Sequence, residues 1–212
     1  MAIKIPGLLE VISLDRIAEV LVDAFTYDPK LMKSFPLDYG RRNALEATFY
    51  YYGKYDLFYG KVYTLDEDVF EVALLLESKY VNSTKNKCLK AGCYSYEYQS
   101  IKERMPVEDR KKRLKIFKEI KKFEKRVPKP KDYLYLDYLG VVRDKQGEGR
   151  GTKLMEKICE YADSVNKPIV LYVSSDESKK FYEKFGFEEI TSVTSSNYDY
   201  TNIYLIRNPK SE

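Results

Sequence analysis

From Tyr133 to Gly151 the chain reads Tyr-Leu-Tyr-Leu-Asp-Tyr-Leu-Gly-Val-Val-Arg-Asp-Lys-Gln-Gly-Glu-Gly-Arg-Gly, an apolar strand running through a short polar turn into a glycine-rich loop that opens a helix. That arrangement builds a phosphate cradle. Glycines at 147, 149 and 151 carry no Cβ, so the backbone can turn sharply and bring bare N–H groups against a diphosphate at the positive end of the following helix. The expected ligand is a phosphorylated cofactor.

Spacing narrows which one. A P-loop needs Gly-x-x-x-x-Gly-Lys followed by Ser or Thr, and here Thr152 follows Gly151 with no lysine between them. A Rossmann loop needs Gly-x-Gly-x-x-Gly and an acidic residue closing the next strand, whereas this loop is Gly147-Glu148-Gly149-Arg150-Gly151 and the next strand ends at Val173 and Ser174. Nucleoside triphosphates and dinucleotides are both disfavoured.

Gln146-Gly147-Glu148-Gly149-Arg150-Gly151 resembles the acetyl-CoA loop of the Gcn5-related N-acetyltransferase (GNAT) family, Gln/Arg-x-x-Gly-x-Gly/Ala. After the apolar strand Pro168 to Val173, the run Ser174 to Phe187 is similar to the family's closing element, Asn-x-x-Ala-x-x-Leu/Phe-Tyr-x-x-x-Gly-Phe, with Tyr182, Gly186 and Phe187 in place. Asp176 stands where the family usually has Asn, and Ser178 lies near its usual small residue. The resemblance covers Tyr133 to Ile190. It implies that Gln146, Gly147, Gly149, Arg150, Gly151 and Thr152 hold the diphosphate of acetyl-CoA, mainly through backbone groups. The strand Leu139 to Val142 would pair edgewise with the pantetheine, Leu139 and Val141 among its contacts, and Asp176 would touch the same arm. It further implies that the Val141 N–H faces the thioester carbonyl as an oxyanion donor, and that Tyr182 sits beside the sulfur as general acid.

Elsewhere the reading rests on pattern. Ser13 caps an expected helix with Ile17, Val20, Leu21, Ala24 and Phe25 on one face, preceded by a short strand at Leu9 to Ile12. Tyr27-Asp28-Pro29 and Phe35-Pro36 break it, and a second helix covers Arg41 to Tyr59. Strands follow at Lys61 to Leu65 and Val69 to Glu77. Residues 94–126 read as a charged helical insert whose apolar side is Leu114, Phe117, Ile120 and Phe123. Leu154, Met155, Ile158, Cys159 and Ala162 stripe the helix after the loop, and Pro168 to Val173, Phe187 to Thr194 and Tyr200 to Ile206 are strands. Strands that first meander and then alternate with helices predict an α/β (α+β) fold with a mixed sheet, and the resemblance implies its GNAT-like form, a mostly antiparallel central sheet flanked by helices, with the helical insert before the cofactor-binding strand. Residues 1–212 are expected to form one N-acetyltransferase domain.

Composition fits that expectation. The 212 residues are 44% hydrophobic and 33% charged, with a formal net charge of +4. That charge suits an anionic ligand but not a dedicated nucleic-acid binder, so no nucleic-acid partner is expected. Cys88, Cys93 and Cys159 are an odd set without any histidine, which argues against zinc and for a reducing cytoplasm; no metal is expected. The longest apolar block, Val72 to Leu76, is too short for a membrane span. The chain is expected to be soluble, as monomer or homodimer.

With no histidine available, Asp137 is the leading candidate for general base, on the same strand face as Tyr135, Leu139 and Val141. As a carboxylate of ordinary low pKa it would act through water, and a structural pairing with a lysine is the alternative role. The aromatic residues from Tyr50 to Tyr59, with Tyr198 and Tyr200, offer walls for an acceptor pocket or simply core. The pattern Ala24 to Pro29 with Phe35-Pro36, and the insert, are similar to the puromycin N-acetyltransferase-like branch and point to a small-molecule amine. Rival readings are a protein lysine or N-terminal acetyltransferase, and a non-catalytic acetyl-CoA-sensing module.

Overall fold

The computed structural model describes residues 3–35, 39–194 and 201–210, so Pro36, Tyr198 and Tyr200 lie outside the described residues, as does the side chain of Phe117. Strands β1 (Leu9–Glu10), β2 (Lys61–Thr64), β3 (Glu71–Glu77), β4 (Leu134–Val141), β5 (Ile169–Val173), β6 (Glu188–Thr194) and β7 (Thr201–Arg207) form a seven-stranded sheet in the order β1-β2-β3-β4-β5-β7-β6. All neighbours run antiparallel except β4 and β5. The expected mixed sheet flanked by helices is the observed one.

Helix α1 (Leu14–Phe25) starts where Ser13 accepts from the Arg16 N–H at 3.3 Å, and it buries Ile17, Ala18, Val20, Leu21 and Val22. Helix α2 (Pro29–Ser34) has Pro29 in its first turn and Asp28 as its cap, and α3 (Tyr39–Tyr59) crosses the same sheet face as α1. Short helices α4 (Ser78–Val81) and α5 (Lys85–Lys90) were not expected, being too brief for a periodic signal; α5 buries one side chain, Cys88. The insert forms α6 (Tyr96–Glu103) and α7 (Val107–Glu124). Helices α8 (Arg150–Ser164) and α9 (Asp176–Glu183) cover the other face. Among the described residues no helix is long and apolar enough to cross a membrane.

Two expectations need correction. On α7 the buried side is Asp109, Arg113, Ile116 and Ile120, while Leu114 is 59% exposed. The Arg113 guanidinium donates to Tyr98 Oη at 2.9 Å and Thr48 Oγ1 at 3.2 Å, so a polar anchor onto α6 and α3 sets the helix rotation rather than its apolar count. On β4, Tyr138 pairs with Leu74 and Leu136 with Leu75, which leaves Asp137 as an extra, bulged residue. The bulge shifts the alternation by one. Asp137 therefore does not share a face with Leu139 and Val141. Tyr133, Tyr135 and Tyr138 pack toward α1 and α3, whereas Leu134, Leu136 and Leu139 pack toward α8.

The parallel contact is short. Only Leu134↔Ile169 and Tyr135↔Val170 join β4 to β5, while β4 stays paired with β3 as far as Val141. Past Tyr135 the sheet is split.

Candidate functional site: a glycine loop, a split sheet and a tyrosine cavity

The loop after β4 ends in an open helix terminus. Gly149 has φ +78 and ψ 6, a left-handed conformation that a side chain would strain, and it is the N-cap of α8 without a side-chain cap. Helices α1, α2, α5, α6 and α9 are each capped by a Ser, Thr or Asp side chain. The first-turn N–H groups of α8 thus retain capacity for an external acceptor, and no acidic residue sits in that turn to oppose an anion. Gly151 approaches β4 so closely that an added Cβ would lie 3.4 Å from Val141 Cγ2, which sets the helix end against the strand.

A groove of about 440 Å³ runs along this terminus, walled by Leu139, Val141, Gln146, Gly147, Gly149, Gly151 and Thr152 on one side and Glu177, Ser178, Phe181 and Tyr182 on the other. Arg150 also borders it, but its guanidinium is committed elsewhere. It pairs with Glu71, which is wholly buried, and with Asp66 at 2.5 Å, so what Arg150 offers the groove is its main-chain N–H. Glu71 also accepts from Thr64 Oγ1 and the Leu65 N–H, both at 2.8 Å, which clamps the start of α8 to β3. Gln146 Nε2 donates to the Val141 carbonyl at 3.0 Å. Asp176 is exposed in the first turn of α9 and its neighbours Glu177 and Ser178, not Asp176 itself, face the groove.

The groove opens into the split. The Val142 N–H donates to Phe70 at 2.9 Å, so by strand alternation the N–H of Val141, and that of Leu139, point to the other edge, where β5 has departed. A cavity of about 110 Å³ occupies this gap and shares Leu139, Ser178 and Tyr182 with the groove. Tyr182 is 8% exposed, and burial raises its phenol above the usual value, so it stays protonated through neutral pH.

Beyond the split lies a cavity of about 40 Å³ on the α3 face, sharing Asp137 and Tyr172 with the gap. Its walls include Tyr51, Tyr52, Tyr55 and Tyr135, and α7 closes it with Ile120 and Glu124. Asp137 enters here on the side of Tyr133 and Tyr135, and the bulge turns Leu139 and Val141 to the other face. Burial, reinforced by the Glu124 charge, raises its pKa to about 7; the neighbouring Asp56 carboxyl and the Lys30 ammonium act in the opposite direction. The expectation of an ordinary low-pKa carboxylate is thus corrected: Asp137 accepts a proton near neutrality. Lys30 is itself buried, its Nζ 4.7 Å over the Tyr172 ring, and desolvation lowers its pKa against the pull of Asp28, Glu124 and Asp137.

The loop glycines, Gln146, Thr152, Leu139, Val141 and Tyr182 therefore gather around one groove, and Asp137 stands across the split from them. Sequence reasoning missed Asp56, Lys30, Glu71 and Glu124. Asp56 had one signal, a lone acid within the aromatic run Tyr50 to Tyr59. Cys88, Cys93 and Cys159 are buried free thiols, and no cluster of three or more metal-ligating side chains occurs among the described residues.

Residues 85–198, more than half of the chain, match the acetyltransferase (GNAT) domain family. An uncharacterised N-acetyltransferase of Schizosaccharomyces pombe is 35% identical over 80 residues, which span 37% of this chain and 32% of that protein, about a third of its length. Among solved structures, a histone acetyltransferase HPA2 and related acetyltransferase from Corynebacterium glutamicum superimposes with a TM-score of 0.63 at 17% identity, covering 99% of both chains. Arylalkylamine N-acetyltransferase 2 from Aedes aegypti gives 0.55 at 15% identity, covering 96% of this chain and 98% of that one. The ribosomal-protein-S18-alanine N-acetyltransferase from Escherichia coli gives 0.51 at 12%, covering 97% and 94%. These are likenesses of fold.

Proposed function

The chain belongs to the GNAT acetyltransferase family, and from that premise we propose that it transfers an acetyl group from acetyl-CoA to the primary amine of a small molecule, by direct attack in a ternary complex. One observation carries the reading: groove, gap and tyrosine cavity share walls in sequence, with Tyr182 at the first junction and Asp137 at the second. A donor and an acceptor entering from opposite faces of the sheet would meet there.

The uncapped end of α8 fits a diphosphate, and the free edge of β4 fits the amide-bearing arm behind it. Acetyl-CoA, when bound, supplies an acyl group already activated as a thioester. The chain's residues supply the rest. The N–H groups of Arg150, Gly151 and Thr152 hold the anion, and the Leu139 and Val141 main chain orients the arm. The Val141 N–H is aimed at the acyl oxygen, where such a preorganised donor is worth roughly 3 kcal/mol. Asp137 takes the proton that the arriving ammonium must lose before it can attack, a task matched to a pKa near 7. As the C–S bond breaks, the second proton shed by the nitrogen passes to the departing thiolate, and Tyr182 gives that sulfur a hydrogen bond.

The acceptor side supports a small molecule over a peptide. At about 40 Å³, with α7 along one wall, the tyrosine cavity has room for the ammonium end of a slender chain. Calorimetry with acetyl-CoA, followed by CoA thiol release across a polyamine, an aminonucleoside, an aminoglycoside and peptides, tests the proposal. Binding with turnover of a small amine is expected. Turnover of peptides alone would transfer the reading to protein substrates, and binding without any turnover would make the chain a sensor.

A further inference from the structure

Asp56 lies on α3 with its side chain completely enclosed, and neither carboxylate oxygen has a hydrogen-bond donor among the described residues. An ionised carboxyl in such a place would have nothing to replace its lost water. The group that faces it is another acid, Asp137. Two carboxylates in one dry site cannot both carry charge, so the pair holds one proton between them.

Position decides which acid keeps it. Asp137 borders two cavities and lies within reach of the Lys30 ammonium from α2, while Asp56 has neither advantage. The remaining groups around Asp137 are Glu124 from α7, Tyr52 from α3, Tyr135 and Tyr138 from β4 and Tyr172 from β5. The tyrosines are phenols raised well above their usual value by burial, so they add no charge near neutrality. A protonated carboxyl has one O–H to give.

We propose that Asp56 persists as a neutral carboxylic acid and donates its O–H to the Asp137 carboxylate, a positioning residue that fixes the orientation of the base at the split. This rests on the reading of Asp137 given above. Burial, with Asp137 beside it, holds the Asp56 carboxyl well above the carboxylate range. The orphaned oxygens are those of an acid waiting for an acceptor, not of a carboxylate missing a donor.

Side-chain carboxyl carbon shifts from ¹³C-aspartate-labelled protein, titrated from about pH 4 to 9 without any ligand, provide the test. Spectra of Asp56→Asn and Asp137→Asn assign the two signals. The Asp56 carbon should remain at its protonated position through pH 7 while Asp137 titrates near neutrality. Asp56→Asn, which keeps a donor of the same shape, should leave the Asp137 titration within a few tenths of a unit. Asp56→Ala, which removes the donor, should move it upward by roughly one unit. An Asp56 carbon in the carboxylate position at pH 7, or a downward move of about one unit in Asp56→Asn, would overturn the proposal. If Asp56→Ala does not fold, the wild-type and Asn titrations decide alone. Because no turnover is read, a chain that acetylates nothing yet shows this titration would refute the function and leave the hydrogen bond standing.

Discussion

The two faces of β4 are built by opposite means. On the α8 face, a loop of neighbouring residues presents main-chain N–H groups, and side-chain identity matters chiefly where glycine permits the turn. On the α3 face, Lys30, Asp56, Glu124, Asp137 and Tyr172 arrive from five elements, and every useful atom is a side chain. A backbone site is written in consecutive letters and tolerates drift around it. A side-chain site depends on the packing of distant segments, and it is the one that can specialise.

The sharpest way to break this contrast is Asp137→Ala. It should lower kcat/KM by about 10²–10⁴ while acetyl-CoA affinity measured by calorimetry stays within about twofold. In the wild type the acid limb of kcat/KM should rise through about pH 7, since Asp137 must be ionised to work. A large loss of CoA binding in this variant would mean that the two faces are not separable.

Arg150→Ala tests whether the partly buried guanidinium at the end of the loop belongs to the fold or to the ligand. Removing the partner of wholly buried Glu71 should cost about 3 kcal/mol in chemical denaturation and change CoA affinity little. The opposite ratio would make the guanidinium a phosphate ligand. Gly149→Val should weaken acetyl-CoA binding roughly tenfold, because a branched residue resists φ +78 by about 1–2 kcal/mol. Tyr182→Phe comes next: a loss of up to about tenfold in kcat with CoA affinity intact, the size of one hydrogen bond.

The smallest effect concerns stability. A carboxyl whose folded pKa is raised favours folding when protonated, so the contribution of Asp137 is complete below about pH 4 and disappears as pH rises through about 7. Asp137→Asn lacks this loss. Its Tm should therefore gain on that of the wild type by a few degrees between pH 5 and 8. A constant difference across that range would show that the acid is not desolvated.

How legible the molecule is from its sequence follows the same division. The strand, loop and helix from Tyr133 to Ser164 could be read because the glycines and the apolar stripe Leu154, Met155, Ile158, Cys159 and Ala162 are local signals. The Ser13 cap and the α1 stripe were equally plain. The bulge was not, since nothing in Leu136-Asp137-Tyr138 marks an extra residue; it exists only through the register with Leu74 and Leu75 on β3. The rotation of α7 escaped for a related reason. Arg113 resembles its solvent-facing neighbours until Tyr98 and Thr48 are known to meet it. Asp56 could be noticed but not interpreted, because its meaning depends on a residue 81 positions away in the chain, the difference between 137 and 56.

The two-rung join between β4 and β5 leaves its mark on solvent exchange. The Val141 amide looks into the gap, whereas its neighbour Val142 is held by Phe70. Deuterium should replace the first proton quickly and the second slowly in the free chain, with the disparity closing once the pantetheine arm completes the ladder that β5 abandons.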